Sequence, residues 1–521
     1  MNLTKMTNRH FSLRALLFGG AFLFLPLGTN SYAGSATWSV SPGDGTWSEF
    51  APNNWVPNTV PNSVDDVATF GSSSITAIHI LDIDIGAIVF QPGASAYTFT
   101  MEGVNSGLSV FEAGINNESG MTQNFIINPP FGSIIFTGSS TAGSNTVFTA
   151  NPGRFGGETG ATVSFQGTSN AGSGTFTAVS EQVINGFAGK VVFRDESSAG
   201  DATVTAQGSS VNGNALIQFQ DKSIGGNATL IAQNGSDAGG GGGITFEGKT
   251  GGGTMRIILL GDGTNNPQNG ILSIGPNPTK VQNLMIGSIE GGGQMSMGTL
   301  FGQSSSATIG SNNLSTTFDG VILGDAGVSV TKVGTGTLTL TNGANTYSGG
   351  TNVNKGTLVV SNTTGFGAGG PIKVNAGTLG GSGTVLGPVT VGRGNGKVAV
   401  LAPAQGSSQQ ATFTIQNAVA FKGGAMYTYG LQAKANQIRA DKVMAGGVTI
   451  ESGATFSLRA KIKGILASGT TLIAISNTSV TPIAGSFDNL PDGGLIIAGG
   501  ATFQANYEGG DGNDLTLTVV P

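Results

Sequence analysis

One pattern limits what this chain can fold into more than any other: a short apolar triplet ending in Phe returns at nearly constant spacing. Ile134-Ile135-Phe136, Val163-Ser164-Phe165, Val191-Val192-Phe193, Ile217-Gln218-Phe219 and Ile244-Thr245-Phe246 lie 29, 28, 26 and 27 residues apart, Phe to Phe. Successive strand residues point to opposite faces, so each triplet puts two large side chains on one face. Between triplets comes a small-residue pair: Ala142-Gly143, Ala171-Gly172, Ala199-Gly200, Gly225-Gly226 and Gly251-Gly252. Then comes Thr with an apolar residue: Thr146-Val147, Thr175-Phe176, Thr203-Val204, Thr229-Leu230 and Thr254-Met255. The Thr follows its Phe by 10 residues in four units and by 8 in the fifth. A unit of about 27 residues cannot bury its own apolar face, whereas stacked units can. The pattern predicts coils whose strands pair in parallel with their equivalents one coil on, filled by a column of the five Phe rings.

Composition supports an ordered repeat. Gly occupies 89 of 521 positions, and tight corners between short strands need the positive φ that Gly reaches without steric cost. Gly does not fall at every third position and Pro numbers 18, which excludes collagen. Apolar residues make up 38% and net charge is −6, which argues against long-range disorder, since disorder combines low hydrophobicity with high charge. There is no Cys, and His10 and His79 are the only His. Disulfide frameworks, Cys-based metal sites and His clusters are therefore excluded. No sustained helical periodicity follows the N-terminal segment.

That N-terminal segment reads as an export signal. Lys5, Arg9 and Arg14 precede the apolar run Ala15 to Leu27, and Ser31-Tyr32-Ala33 supplies small residues where a signal peptidase reads. A helix over the apolar run spans about 20 Å, short of a bilayer core of about 30 Å. Cleavage is expected after Ala33.

Further on, the period shortens. Gly336-Thr337-Leu338, Gly356-Thr357-Leu358 and Gly377-Thr378-Leu379 recur at 20 and 21 residues. Between Lys332 and Val360, the positions Gly334, Gly336, Thr337, Leu338, Leu340, Asn345, Thr346, Tyr347, Gly349, Gly350, Thr351, Val353, Gly356, Thr357 and Leu358 resemble the autotransporter-associated β-strand repeat, also called the passenger-associated transport repeat. Gly377 to Thr384 looks like the coil that follows in such proteins, and Tyr507 to Leu515 like their terminal strand. Trp38, Trp47, Trp55, Pro57, Pro61, Asp65, Asp66 and Phe70 resemble the opening of large Gly-rich exported repeat proteins. The resemblance implies a right-handed, single-stranded parallel β-helix outside the cell or at its surface. Self-secreting relatives end in a membrane barrel with strands of about 9–11 residues. No run of such strands follows Leu338, so export is expected to use a separate outer-membrane translocator.

Candidate sites are few. Asp511 and Asp514 in Gly-Gly-Asp-Gly-Asn-Asp approach a calcium-binding nonapeptide, but a Gly-Asp turn before a strand fits better. Asp82 and Asp84 alternate in Ile80-Leu81-Asp82-Ile83-Asp84-Ile85; on one strand face they would stand about 7 Å apart, within the span of glycosidase carboxyls. His79 would be the base of any Ser-His-Asp relay, yet reads as a surface or turn His. Asp195 and Glu196 fall in a variable turn and read as solvated charge. Arg459, Lys461 and Lys463 alternate with Leu458, Ala460 and Ile462, as an acidic-polysaccharide site or, more simply, as charges that deter edge pairing. The three Trp are either a sugar platform or a cap over the first coil, and the cap is favoured because an open coil end exposes apolar groups.

The expectation is an all-β chain, a right-handed single-stranded parallel β-helix preceded by a cleaved signal peptide. Its parts are 1–33 (signal), 34–128 (cap and first coils), 129–320 (long coils), 321–400 (autotransporter-type repeats) and 401–521 (C-terminal coils). The expected role is that of an exported, non-enzymatic structural or adhesive protein without catalytic, cofactor or metal site. Glycans or other surface components are the expected partners, and nucleic acid is not. The alternative is a carbohydrate-active β-helix lyase or hydrolase.

Overall fold

A computed structural model describes residues 34–521, apart from 104–105, 182, 185, 212, 238, 276–282, 301–302, 395, 406–408 and 435–436. Two compact units divide the chain, Met1–Tyr32 and Ala33–Pro521. The first, with the expected export signal, lies outside the described residues. In the second, the only helical element among the described residues is the single turn Pro52–Asn54.

The remainder is a parallel β-solenoid. Each long coil adds one strand to a 13-stranded sheet and one to a 10-stranded sheet. A third ladder of single bridges joins Gly114, Thr141, Asn170, Ser198, Ile224 and Gly251 in turn. The five Phe of the sequence pattern oppose one another in register. Phe136, Phe165, Phe193, Phe219 and Phe246 are fully buried, and their rings stack at centroid separations of 4.8, 4.9, 4.7 and 4.4 Å. The inter-strand spacing of about 4.8 Å is also a favourable distance for offset aromatic stacking, so ladder and column reinforce each other.

A second aromatic column faces the first. Phe99, Phe125, Phe148 and Phe176 stack at 4.9, 4.7 and 4.7 Å. It corrects the sequence alignment at two places. Val147, not Thr146, pairs with Thr175, which brings Phe148 over Phe176. In the fifth unit Arg256, not Thr254, pairs with Thr229, which turns Ile257 inward beside Leu230. Matching Thr146 to Thr175 would put the wrong face of the strand inward, because a one-residue slip inverts every side chain; matching Thr254 to Thr229 would keep the faces but set Met255 rather than Ile257 beside Leu230.

Corners stack as regularly as strands. Gly143, Gly172, Gly200, Gly226 and Gly253 form one column with φ of 75, 61, 58, 58 and 94°. A Cβ on Gly172 would lie 2.2 Å from the Gly143 carbonyl oxygen, so only Gly lets the coils approach here. A second left-handed column, Gly138, Gly167, Asp195, Asp221 and Gly248, is looser and admits Asp at two positions: a Cβ on Gly138 meets nothing within 4 Å.

From the middle of the chain the stack continues in two eight-stranded sheets. The shorter repeat keeps register, with Thr337, Thr357 and Thr378 opposed and Leu338, Leu358 and Leu379 opposed. The last residues depart from parallel stacking. Thr471–Asn477, Asp514–Val520, Ala501–Gly509 and Leu495–Ala498 form an antiparallel meander, which closes the stack by pairing with itself. At the other end, Trp55–Val56 runs antiparallel to Ala36–Trp38 and ends the 13-stranded sheet.

Two substitutions separate the corner effects. Gly138→Ala should cost about 1–2 kcal/mol, the left-handed penalty alone. Gly172→Ala adds a carbonyl collision and should lower the urea midpoint clearly more; equal midpoints would contradict the close approach. Phe193→Ala, in mid-column, should cost about 3–5 kcal/mol by the same measurement.

Candidate functional site

Most residues singled out from sequence turn out to be structural. Trp38, Trp47 and Trp55 are buried; Trp55 packs edge to face with the other two, and all three surround Phe70, at centroid distances of 5.2–6.0 Å. The Trp38 and Trp47 indoles donate to the Ile75 and Pro61 carbonyls. Burial removes the sugar-platform reading, and the Trp cluster is the first layer of the core.

Asp82 and Asp84 do not share a strand face. Ile80 ends one strand and Ile83 begins the next; Asp82 stands at the corner between them with φ 51°. The apolar alternation concealed this corner, since Ile80 and Ile83 are both inward with two exposed residues between them. His79 is exposed on the outer face of Ala77–Ile80, opposite Thr46 and Thr100. Asp195 occupies the looser left-handed corner, where its carboxylate accepts from the Gly167 N–H at 2.9 Å. Glu196 pairs with Lys222 of the next coil at 2.6 Å. Asp511 and Asp514 belong to the hairpin between Ala501–Gly509 and Asp514–Val520. Asp514 is buried and accepts from the Asn477 N–H at 2.8 Å. The stacked parallel turns of a calcium nonapeptide are not formed, because this turn joins antiparallel strands.

Arg459, Lys461 and Lys463 have a different setting. Their strand, Thr455–Lys463, pairs in parallel with Ala425–Lys434, whose end folds back antiparallel as Gln437–Ala440. Directly opposed residues share a face, so three cross-strand rows result. Lys463, Lys434 and Gln437 form one row, and Lys461, Gln432 and Arg439 the next. In the third, Arg459 opposes Gly430, whose N–H donates to Asp441 at 2.9 Å. Tyr427, Tyr429, Leu431 and Phe456 on the opposite face are buried. Period-two alternation thus sends every cation outward and every ring inward.

This face forms the floor of a cleft of about 390 Å³ walled by Ala402, Ala404, Gln405 and Gln410. A second hollow of about 400 Å³ shares Gln432 and Lys461 with the first and runs on to Lys434, Arg439 and Lys463. Inside the first, the Gln410 Oε1 and Thr428 Oγ1 are buried without a hydrogen-bond partner. Asp441 anchors the wall to the floor: its carboxylate accepts from the Ala411 N–H at 3.0 Å as well as from Gly430. Burial pushes its pKa up, against the pull of these backbone donors. Sequence reading found the three alternating cations. It missed Lys434, Arg439 and Asp441, which the hairpin return brings beside them; the period-two spacing of Lys434 with Gln432 was the available signal.

Asp441 titrates above the ordinary 3.8 in the folded chain. Its contribution to stability is therefore full below that value and is lost as pH rises through the folded pKa. Asp441→Asn should show a smaller fall in urea midpoint between about pH 3.5 and about pH 7 than the parent chain. An identical fall would mean that Asp441 is not the buried titrating group.

The short-period repeat spans one coil and two strands of the next. Ser329–Lys332 and Thr337–Leu340 lie on two sheets, and Thr351–Val353 and Thr357–Val360 stack on them. Asn345 stitches three coils, accepting from the Ile322 N–H at 2.8 Å and donating to the Gly367 carbonyl at 2.9 Å. The buried Tyr347 hydroxyl bonds Thr351 at 2.8 Å. Gly350 and Gly356 turn corners at φ 97 and 71°. None of these side chains faces the cleft.

Among curated proteins, none matches this sequence. The family model of the passenger-associated transport repeat matches residues 330–360, so the segment just described is one such repeat, set within a longer parallel β-solenoid.

Proposed function

We propose that this chain is an exported passenger-type protein that works outside the cell as a structural and adhesive scaffold, without catalysing a reaction. The observation that carries this reading is the passenger-associated repeat at 330–360, built into the stack in register with the coils on both sides. In this reading the solenoid winds right-handed, the first 33 residues are a signal removed after Ala33, and an outer-membrane translocator is the export partner. Adhesion follows from geometry. Outward rows such as Thr175, Thr203 and Thr229, or Thr149, Thr177 and Thr205, repeat one hydroxyl per coil. Many weak contacts in fixed array gain affinity through effective concentration, and glycans are the surface most rich in matching hydroxyls.

The lyase or hydrolase alternative draws on the meeting of Asp441, Arg459 and Lys461 in the cleft. The scaffold reading is favoured because Asp441 is buried and each of its carboxylate oxygens is tied to a backbone N–H of the wall or floor, whereas a general base must come within hydrogen-bond reach of a substrate proton.

Fractionation of an expressing cell, with intact-mass analysis of the exported chain, tests the reading. The expected result is a cell-surface or extracellular chain that begins at Gly34; a cytoplasmic chain retaining Met1–Ala33 would refute export. Purified chain should bind cells, matrix or glycan arrays and release no reducing ends or unsaturated sugar. Absence of binding on all three would remove the adhesive part, and turnover would favour the enzyme.

A further inference from the structure

Five of the chain's 22 Lys and Arg residues, Lys434, Arg439, Arg459, Lys461 and Lys463, share one face of three adjacent strands. Among the described residues none of the five is ion-paired; the ion pairs lie elsewhere, at Arg154, Lys222, Arg256 and Lys422. Arg439 donates to the Gln409 side chain at 3.1 Å. Successive rows stand about 7 Å apart along the strands and opposed residues within a row about 4.8 Å, so the cations repel one another. Edge protection accounts for cations on the free edge of Thr455–Lys463. It does not account for Lys434 on the central strand, nor for the unpartnered oxygens of Gln410 and Thr428 at the floor and wall. Of nine buried side-chain polar atoms without a partner among the described residues, two border this groove, where they meet a lining of unpaired positive charge.

We propose that this groove binds a linear acidic polysaccharide, with its carboxylate or sulfate groups on the Lys and Arg rows and its hydroxyls on Gln432, Thr428 and Gln410. From Arg459 to Lys463 the charged track runs about 13 Å, the length of a few sugar residues. Arg439 and Arg459 present planar forks that match carboxylate or sulfate in bidentate fashion. Among the described residues no aromatic side chain lines either hollow. That disfavours single-stranded nucleic acid, whose bases stack on aromatic rings. The proposal deepens the adhesive reading above by naming its ligand chemistry, and rests on it.

The test is binding of purified full chain to immobilised polygalacturonate, heparin and neutral dextran. Polygalacturonate binding alone identifies carboxylate as the ligand group, heparin binding alone identifies sulfate, and binding to both identifies either; dextran should not bind. Arg459→Gln, Lys461→Gln and Lys463→Gln together should weaken binding by about tenfold or more. The exposed Lys249, Lys373 and Lys397, changed to Gln together, should leave it within about twofold. Circular dichroism verifies that both triple variants are folded, and the single charge reversal Lys461→Glu repeats the test with minimal change to the strand. Three results would overturn the proposal: no binding to either polyanion, equal binding by the cleft triple variant, or full competition by single-stranded DNA at equal charge. If the cleft variant loses polyanion binding yet still adheres to cells, the groove is a polyanion site but not the route of adhesion. If adhesion and polyanion binding both persist in it, the scaffold reading stands and the groove assignment fails.

Discussion

Everything in this molecule depends on parallel strands meeting the same strand one coil later without a slip in register. A parallel ladder sets the coil spacing at about 4.8 Å, and each interior position then touches its own equivalent above and below. Phe over Phe, Gly over Gly and Asn between coils are consequences of that constraint. The stack of Phe136, Phe165, Phe193, Phe219 and Phe246 is the interior consequence. The Gly143 to Gly253 corner column, where neighbouring carbonyls leave no room for a Cβ, is the peripheral one.

A ladder of this kind has no natural end, and both ends here are closed by strands that reverse direction. The Trp cluster under Trp55–Val56 fills the core where no further coil supplies a ring. The C-terminal meander satisfies its backbone groups by antiparallel pairing within itself. Just before that closure, Ala425–Lys434 and Thr455–Lys463 run longer than the four-residue strands typical of the long coils. This overhang lifts a sheet face clear of the stack, and the cleft lies on that face. Uniform coils offer repeated weak contacts; an interruption of uniformity makes a concave site.

Period, strand triplets and corner glycines could be read directly because each is local and recurs. The five anchor Phe, the Gly-Thr-Leu register and the Trp cap all follow from alternation and repetition. The Thr columns differ from the true register by one residue at Thr146, which is buried, and by two at Thr254, which is exposed; Thr serves both faces, and the inward partners Phe148 and Ile257 identify the register. The corner at Asp82 was hidden by a similar ambiguity: apolar alternation across a bend looks like one strand when both flanking Ile point inward.

The sequence by itself determined the solenoid, since a repeated two-faced strand can bury its apolar side only against its own copies. It also carried the passenger-associated repeat, whose Asn, Tyr and Gly positions are dictated by contacts between successive coils. Tertiary structure alone decided where the charges gather. Lys434, Arg439 and Asp441 join Arg459, Lys461 and Lys463 only through a parallel pairing and a hairpin return, and such pairing across distant residues has no local signature. A repeat is legible because every copy states the same local rule; a cleft is made where the rule lapses, and its residues become neighbours only when the chain has folded.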